Sequence, residues 1–353
     1  MTSSSGGHRP VTPTMSAAVL VGPGELDVRE VPTPALGPDD VLVAVDLCGV
    51  CGTDIHLVLE GWASPGSWQG HEWVGTVSAV GPEVTRWRPG DQVVGGPPPT
   101  CGECRGCLAA RPTLCERQPA AGADASPGAF AGFKLAGQDE LLALPDGLDP
   151  RAAALAEPLA ISLHAVHRSG VGPGQRVMVL GAGPIGALAI AVMAGMGVSE
   201  IVCVEPSPLR RDLATAAGAT ELQVPDDLDV PSIAEPQRIV DGACDVVLEC
   251  SGAVSAMEAA LAQLRPGGTL VLIGSGIQPP SFDPNRILLN ELVVTGAFNY
   301  DAGGFVEALD LLSSGRLPVD ALLEPGDVPL GGLLDALRGL AAGRIAGKVL
   351  VRP

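Results

Sequence analysis

Four cysteines, Cys101, Cys104, Cys107 and Cys115, stand within the run CGECRGCLAARPTLC. The spacing Cys-x2-Cys-x2-Cys-x7-Cys lets one short loop fold back and offer four thiolates to a single tetrahedral ion. Zinc suits this set, because its filled d shell imposes no geometry of its own and it accepts four sulfur ligands. A closed shell leaves no position for substrate, so the expected role is structural. Disulfides and an iron–sulfur cluster are the competing uses of four cysteines. Disulfides belong to oxidising compartments, whereas the rest of the chain reads as cytoplasmic, and a second group of metal donors upstream disfavours a cluster.

That second group is Cys51-Gly-Thr53-Asp54-Ile-His56 together with Gly70-His71-Glu72. Thiolate and neutral imidazole are good zinc ligands, and a carboxylate completes the set. Glu72 adjoins His71, while Glu157 lies in LAEPLA at the junction of the two halves of the chain. Three protein ligands with one open position describe a catalytic zinc. Taken singly, a Cys is usually core, a His a satisfied polar group and a Glu a surface charge. Their concentration beside the four-Cys lobe carries the metal reading.

Gly181-Ala-Gly183-Pro184-Ile185-Gly186 follows the apolar run RVMVL and opens a helical pattern. In that setting the first Gly permits a tight turn, the second admits a pyrophosphate to the backbone, and the third allows close helix–strand packing. The helix N-terminus supplies free N–H groups for phosphate. Glu205 ends the next strand, where a carboxylate holds both adenosine ribose hydroxyls and repels a 2′-phosphate. NAD is therefore expected over NADP. Arg210 and Arg211 lie just beyond and weaken that preference, since an Arg can compensate a phosphate.

These groups need elements to position them. The 353 residues suit two domains. Residues 1–14 read as a disordered tail without the apolar core of a secretory signal, and the expected compartment is the cytoplasm. From 15 to 158, short β-branched runs punctuated by Gly and Pro predict a β-rich domain. From 159 to 298, strands alternate with helices (PIGALAIAVMAGMG, LRRDLATAAGA), which predicts a doubly wound parallel sheet. The stretch ELQVPDDLDVPSIAEPQ reads as a surface connection. From 299 to 353 the chain is expected to return to the first domain. No apolar run approaches the roughly 20 residues that span a bilayer, and a net charge of −19 argues against nucleic acid.

With these residues in place, the chain resembles the zinc-dependent medium-chain dehydrogenase/reductase family of alcohol, sorbitol and threonine dehydrogenases. GHEWVGTVSAVGPEV is similar to the family's zinc signature. The resemblance covers about 15–353 and implies an α/β protein: a GroES-like catalytic domain (15–158 and 299–353), its structural zinc lobe (about 97–118), and a Rossmann NAD-binding domain (159–298). It implies that Cys51 and His71 bind zinc, that Thr53 is the hydroxyl of a proton relay with His56 as its outer base, and that Asp54 orients His71. Glu157 stands where the ethanol-type branch places a third Cys ligand, which resembles the polyol and sorbitol branch, so Glu72 and Glu157 are both candidate ligands. The implied reaction is secondary alcohol to ketone, or its reverse, with one catalytic and one structural zinc. A homodimer or homotetramer is expected, with LVVTG at 292–296 as an edge strand. Trp62, Trp68, Phe130 and Tyr300 are candidate pocket walls. Cys48, Cys203, Cys244 and Cys250 read as small core residues, and His164 and His167 as packing or surface. A threonine-type amino-alcohol dehydrogenase and a non-catalytic nucleotide-binding protein are the alternatives.

Overall fold

The computed structural model describes residues 9–96, 100–117, 127–276 and 278–353. Residues 1–8 of the expected tail, and 97–99 and 118 of the expected zinc lobe, lie outside the described residues. Residues 9–14 are tied down: Arg9 donates to Gly132 O, and Thr33 N–H donates to Pro13 O.

The first half is built on β1 (Thr14–Gly22), β2 (Glu25–Pro32), β3 (Asp40–Gly49), β4 (Glu72–Val80), β5 (Gln92–Gly95), β6 (Phe133–Gly137) and β7 (Leu141–Ala143), with short helices α1 (Gly52–Leu59) and α2 (Arg105–Leu108). In β3, DVLVAVDLCG is apolar almost throughout and buried on both faces, as a strand sandwiched within the domain must be. It pairs antiparallel with β4 along one edge and with β6 along the other.

The second half starts with α3 (Pro150–Ala153) and α4 (Ala156–Ser169) and continues through β8 (Arg176–Leu180), α5 (Pro184–Gly195), β9 (Glu200–Val204), α6 (Pro208–Ala217), β10 (Glu221–Gln223), β11 (Cys244–Glu249), α7 (Val254–Ala260), β12 (Leu264–Leu272), α8 (Pro284–Leu289) and β13 (Val293–Gly296). Its sheet runs β10-β9-β8-β11-β12-β13 with every pairing parallel. This is the doubly wound Rossmann order, whose direction reverses between β8 and β11. One expectation is corrected here. The first residues of the acidic stretch are not a surface connection but form β10, the outermost strand, because Glu221, Leu222 and Gln223 extend the sheet beside β9.

The chain closes with α9 (Gly304–Ser313), α10 (Val319–Leu322), β14 (Leu323–Pro329), α11 (Leu333–Ala341) and β15 (Lys348–Arg352). β14 and β15 complete the first sheet, in the order β14-β15-β3-β4-β5-β7. That return comes later than residue 299. Phe305, Ala308, Leu309 and Leu312 of α9 belong to the same buried cluster as Leu159 and Leu163 of α4, so α9 packs with the second half. The cluster also takes in Leu47, Val74 and Val94 of the first sheet, which joins the two halves through one continuous core.

Arg210, expected at the cofactor, turns to the first half instead. Its Nε donates to Ile345 O at 3.2 Å and its guanidinium to Leu340 O at 2.8 Å, at the C-terminal end of α11. The last carbonyls of a helix lack partners within it and carry partial negative charge, which a cation satisfies. Ser207 adds a bond to Gly343 O at 3.2 Å. Arg210→Ala should lower the unfolding free energy by about 1–3 kcal/mol, the usual worth of hydrogen bonds from a charged donor, while leaving dinucleotide affinity unchanged. Denaturant titration and fluorescence binding of the nucleotide check the two halves of that statement.

Candidate active site

Three short-range devices place the metal donors. Cys51 is the N-cap of α1, and its N–H donates to Asp54 Oδ2 at 2.9 Å, so Asp54 fixes the start of the helix. Thr53 Oγ1 lies 3.7 Å from Cys51 Sγ. Gly70 adopts φ +107°, and a Cβ there would come within 2.8 Å of Cys48 Sγ and of Phe130 N, so only glycine can precede His71. β4 starts at Glu72.

As a result the ligand atoms of Cys51, His71 and Glu72 all lie within 4.8 Å of one another. His71 is 40% accessible, whereas Asp54, at 4.0 Å from its Nδ1, is fully buried. Asp54 Oδ1 has no hydrogen-bond partner among the described residues. Burial works against a charged His71, but the Cys51 sulfur, Asp54 and Glu157 outweigh it and raise the imidazole pKa. Glu72 is wholly buried, and both of its oxygens lie 2.6 Å from Lys348 Nζ. Lys348 also donates to Val50 O at 3.1 Å. Burial disfavours its charge, yet Glu72 and Cys51 hold it protonated and raise its pKa. Glu157, in the first turn of α4, lies outside the donor trio. Burial pushes its carboxyl up to about 7, with His71 opposing.

In the second half, Gly183 is the N-cap of α5 and faces open space, where a side chain would otherwise stand. Gly181 adopts φ +92°, and a Cβ on it would come within 2.8 Å of Ser251 Cβ, while one on Gly186 would run into Gly181 O. Pro184 and Ile185 open α5, whose first turn carries no acid to compete with a phosphate. Glu205 is buried, and accepts from Ala182 N–H at 2.8 Å and Ser207 N–H at 2.9 Å. Arg211 donates to Glu205 O and Pro206 O, both at 2.8 Å, so it is engaged with backbone carbonyls beside Glu205.

This arrangement has known counterparts. Residues 37–146 match the alcohol dehydrogenase GroES-like domain, and residues 184–314 match the zinc-binding dehydrogenase domain. D-xylulose reductase A of Aspergillus oryzae is 32% identical over 330 residues, covering 90% of this chain and 91% of its own length. Sorbitol dehydrogenase of Bacillus subtilis is 32% identical, covering 86% of this chain and 88% of its own. The chain belongs to the zinc-dependent medium-chain dehydrogenases, in the polyol branch. It is thus an alcohol/polyol oxidoreductase served by zinc and a nicotinamide cofactor. A Sinorhizobium meliloti structure, described as a zinc-binding dehydrogenase bound to NADP, superposes with a TM-score of 0.83 at 32% identity, covering 96% of this chain and 99% of that one.

The dehydrogenase's residues fit both helpers. The donor trio mixes thiolate, imidazole and carboxylate as zinc accepts them, and the glycine cradle leaves room where a pyrophosphate would lie. The lobe fits as well: the sulfurs of Cys101, Cys104, Cys107 and Cys115 lie within 4.8 Å of one another. Backbone N–H groups of Cys107 and Glu116 hold the Cys104 thiol down at about 6, and those of Cys101 and Arg117 lower Cys115. Burial and the neighbouring thiols push Cys107 up to about 11. The lobe is anchored by Arg111, whose Nε lies 3.2 Å from Asp301 Oδ2.

The other residues singled out in the sequence lie as follows. Phe130 is 1% exposed and lies in the core. Trp68 packs on the cluster under β1. Tyr300 is buried with its hydroxyl toward Gly96 O, and Trp62 stacks on His56. His164 is buried 3.8 Å from Asp301, and His167 is half-exposed beside Glu307. Cys48, Cys203 and Cys244 are buried and Cys250 half-buried.

Sequence reasoning missed Lys348, although one signal was there: a lone lysine opening the apolar strand KVLV. Lys348→Met should cost about 3–5 kcal/mol, because it leaves the Glu72 carboxylate buried and unpaired. Pairing it with Glu72→Gln should recover most of that loss, and denaturant midpoints of the single and double variants provide the check.

Proposed function

We propose that this dehydrogenase interconverts a neutral polyol or diol and its ketone, using NAD, with the catalytic zinc held by Cys51, His71 and Glu72. The observation that carries the reading is the donor trio at the start of α1 with Thr53 against one ligand and Glu157 outside the trio. When bound, zinc supplies Lewis acidity of the kind that takes water from a pKa of 15.7 to about 7, and the nicotinamide accepts the hydride.

The chain's own residues then have distinct tasks. Asp54 holds the Cys51 backbone in place and sets a buried negative charge 4.0 Å from His71. A shift of about nine pKa units corresponds to about 12 kcal/mol, whereas a hydrogen bond from Thr53 or His56 contributes about one to three. Those two side chains therefore move the proton rather than create its acidity. Glu157, beside His71 but outside the trio, can hydrogen-bond a second hydroxyl of a polyol.

Charge supports the substrate class. The ionisable neighbours of His71 and Glu157 are Cys51, Asp54, Glu72 and Lys348, and Lys348 is committed to Glu72. With Lys348 so committed, these side chains offer a phosphate or carboxylate group no free cation, which favours a neutral substrate. They accept an ammonium, which keeps a threonine-type amino alcohol as the second reading. Glu205, with Arg211 turned by its Nη1 onto the carbonyls of Glu205 and Pro206, supports NAD over NADP.

Two further features support assembly and compartment. β13 is the outer strand of its sheet, with Val293, Val294 and the adjacent Phe298 exposed. An exposed apolar edge is a template for pairing, so we propose a homo-oligomer joined there. All nine cysteines are free, which suits a cytoplasmic enzyme. No described helix is long and apolar enough to cross a membrane.

A nicotinamide-absorbance screen of zinc-loaded protein against polyols, diols, amino alcohols and sugar-alcohol phosphates tests the proposal with both cofactors. Turnover should appear with a neutral polyol or diol and NAD, with phosphorylated analogues at least about tenfold poorer in kcat/KM, a difference of about 1.4 kcal/mol. Cys51→Ser should abolish turnover while nucleotide binding is retained. Near-normal turnover of that variant would remove Cys51 from the site.

A further inference from the structure

Thr53, His56 and Glu60 follow one another along α1 at spacings of three and four residues, Glu60 being the C-cap. That spacing puts the three side chains on one stripe of the helix. The stripe begins beside Cys51, passes His56, whose side chain is 18% accessible, and ends at Glu60, 35% accessible. His56 Nδ1 lies 2.8 Å from Glu60 Oε2. Immediately after, Gly61 adopts φ +78°, and the turn brings Trp62 N–H to donate to His56 O at 3.3 Å. The indole then covers the imidazole, with ring centroids 4.9 Å apart and planes 19° from parallel.

We propose that Glu60 and Trp62 are positioning residues that set His56 as the proton acceptor of the relay, and that the stripe is the path by which the proton reaches solvent. This rests on the reading of His56 as the relay's outer base. An ionised carboxylate only accepts hydrogen bonds, so the neutral imidazole facing it must carry its proton on Nδ1. Nε2 is then left as a lone pair, able to take a proton coming from the Thr53 side. When it does, the imidazolium stands against a carboxylate, the same logic by which an acidic partner holds the tautomer of a catalytic histidine. The imidazolium then gives up one proton to water and returns to the Nδ1–H tautomer that Glu60 favours, ready for the next turnover, and no electron moves. Ketone reduction runs the same path inward. Trp62 keeps the ring from turning over, which would exchange the two nitrogens.

An exposed i,i+4 pair on a helix usually does nothing more than sit in solvent, so the test must read something a solvated pair would not move. The tautomer of His56 is that quantity. It is measured by long-range 1H–15N NMR on the zinc-loaded, histidine-labelled protein, without substrate and at a pH raised until the ring is neutral, with His56→Gln giving the assignment. Wild type should show the Nδ1–H tautomer. Glu60→Gln should keep it, since an amide oxygen also accepts, whereas Glu60→Leu should shift the ring toward Nε2–H. In a single turnover of alcohol oxidation, Glu60→Leu should slow proton release about tenfold, within the roughly hundredfold that a positioned proton acceptor contributes. Glu60→Gln should stay within about twofold of wild type, and nucleotide affinity should not change in either variant.

An Nε2–H tautomer in wild type, or a Glu60→Leu protein with unchanged tautomer, overturns the proposal. A changed tautomer with unchanged proton release removes the path and leaves the dehydrogenase reading standing. Absence of turnover with any alcohol would instead count against that reading, and the substrate-free spectrum would still decide whether Glu60 sets the ring.

Discussion

The fully buried pair of Glu72 and Lys348 is the constraint from which the arrangement of the site follows. Two ions taken out of water are costly, and an equally large apolar pair would often be as stable. The value of this one lies in what it positions. Glu72 is the first residue of β4 and the neighbour of His71, while Lys348 is the first residue of β15, and its third bond goes to Val50, just before the N-cap of α1. One ammonium thereby holds together the end of β3, the start of β4 and the start of β15. Gly49 completes the arrangement, because a Cβ there would run into Glu72 Oε2.

The division of labour between the halves is equally physical. Metal donors sit where strands end and short helices begin in the first half, where tight turns can aim a thiolate and an imidazole at one point. The dinucleotide cradle sits at the switch point of a parallel sheet, where β8 ends and α5 begins. α4 lies between them, carrying Glu157 at its first turn and burying Leu159, Ala160 and Leu163 in the core shared by both halves. Closure of one half on the other is thus built on packing, with Arg210 and Ser207 adding polar ties at the far edge.

What was legible in the sequence was whatever depends on local spacing. The four-Cys run, the CGTDIH and GHE segments and GAGPIG carry their geometry within a few residues, and the strands β3, β4, β8, β9 and β11 announce themselves as β-branched runs. What was not legible depends on distant partners. Lys348 meets Glu72 from 276 residues away, and no local pattern gives that pairing. Arg210 sits where a nucleotide phosphate would attract it by sequence, but the carbonyl end of α11 lies nearer in space. The three residues of β10 carry no alternation long enough to read, and α9 looks the same whether it packs on one half or the other. Of the two carboxylates left open by sequence, proximity groups Glu72 with Cys51 and His71.

The position of Lys348 also imposes an order of events on biosynthesis. A chain emerges from the ribosome N-terminus first, so Glu72 is made 276 residues ahead of its counter-ion. At about 5–20 residues per second, that gap lasts roughly 14 to 55 seconds. During it, β3 and β4 can pair, but the carboxylate between them has no cation to enter the interior with and stays hydrated or takes up a proton. The nascent catalytic half therefore lacks this counter-ion until β15 is made, and a chain without Lys348 has every proposed ligand yet must bury Glu72 unpaired or uncharged.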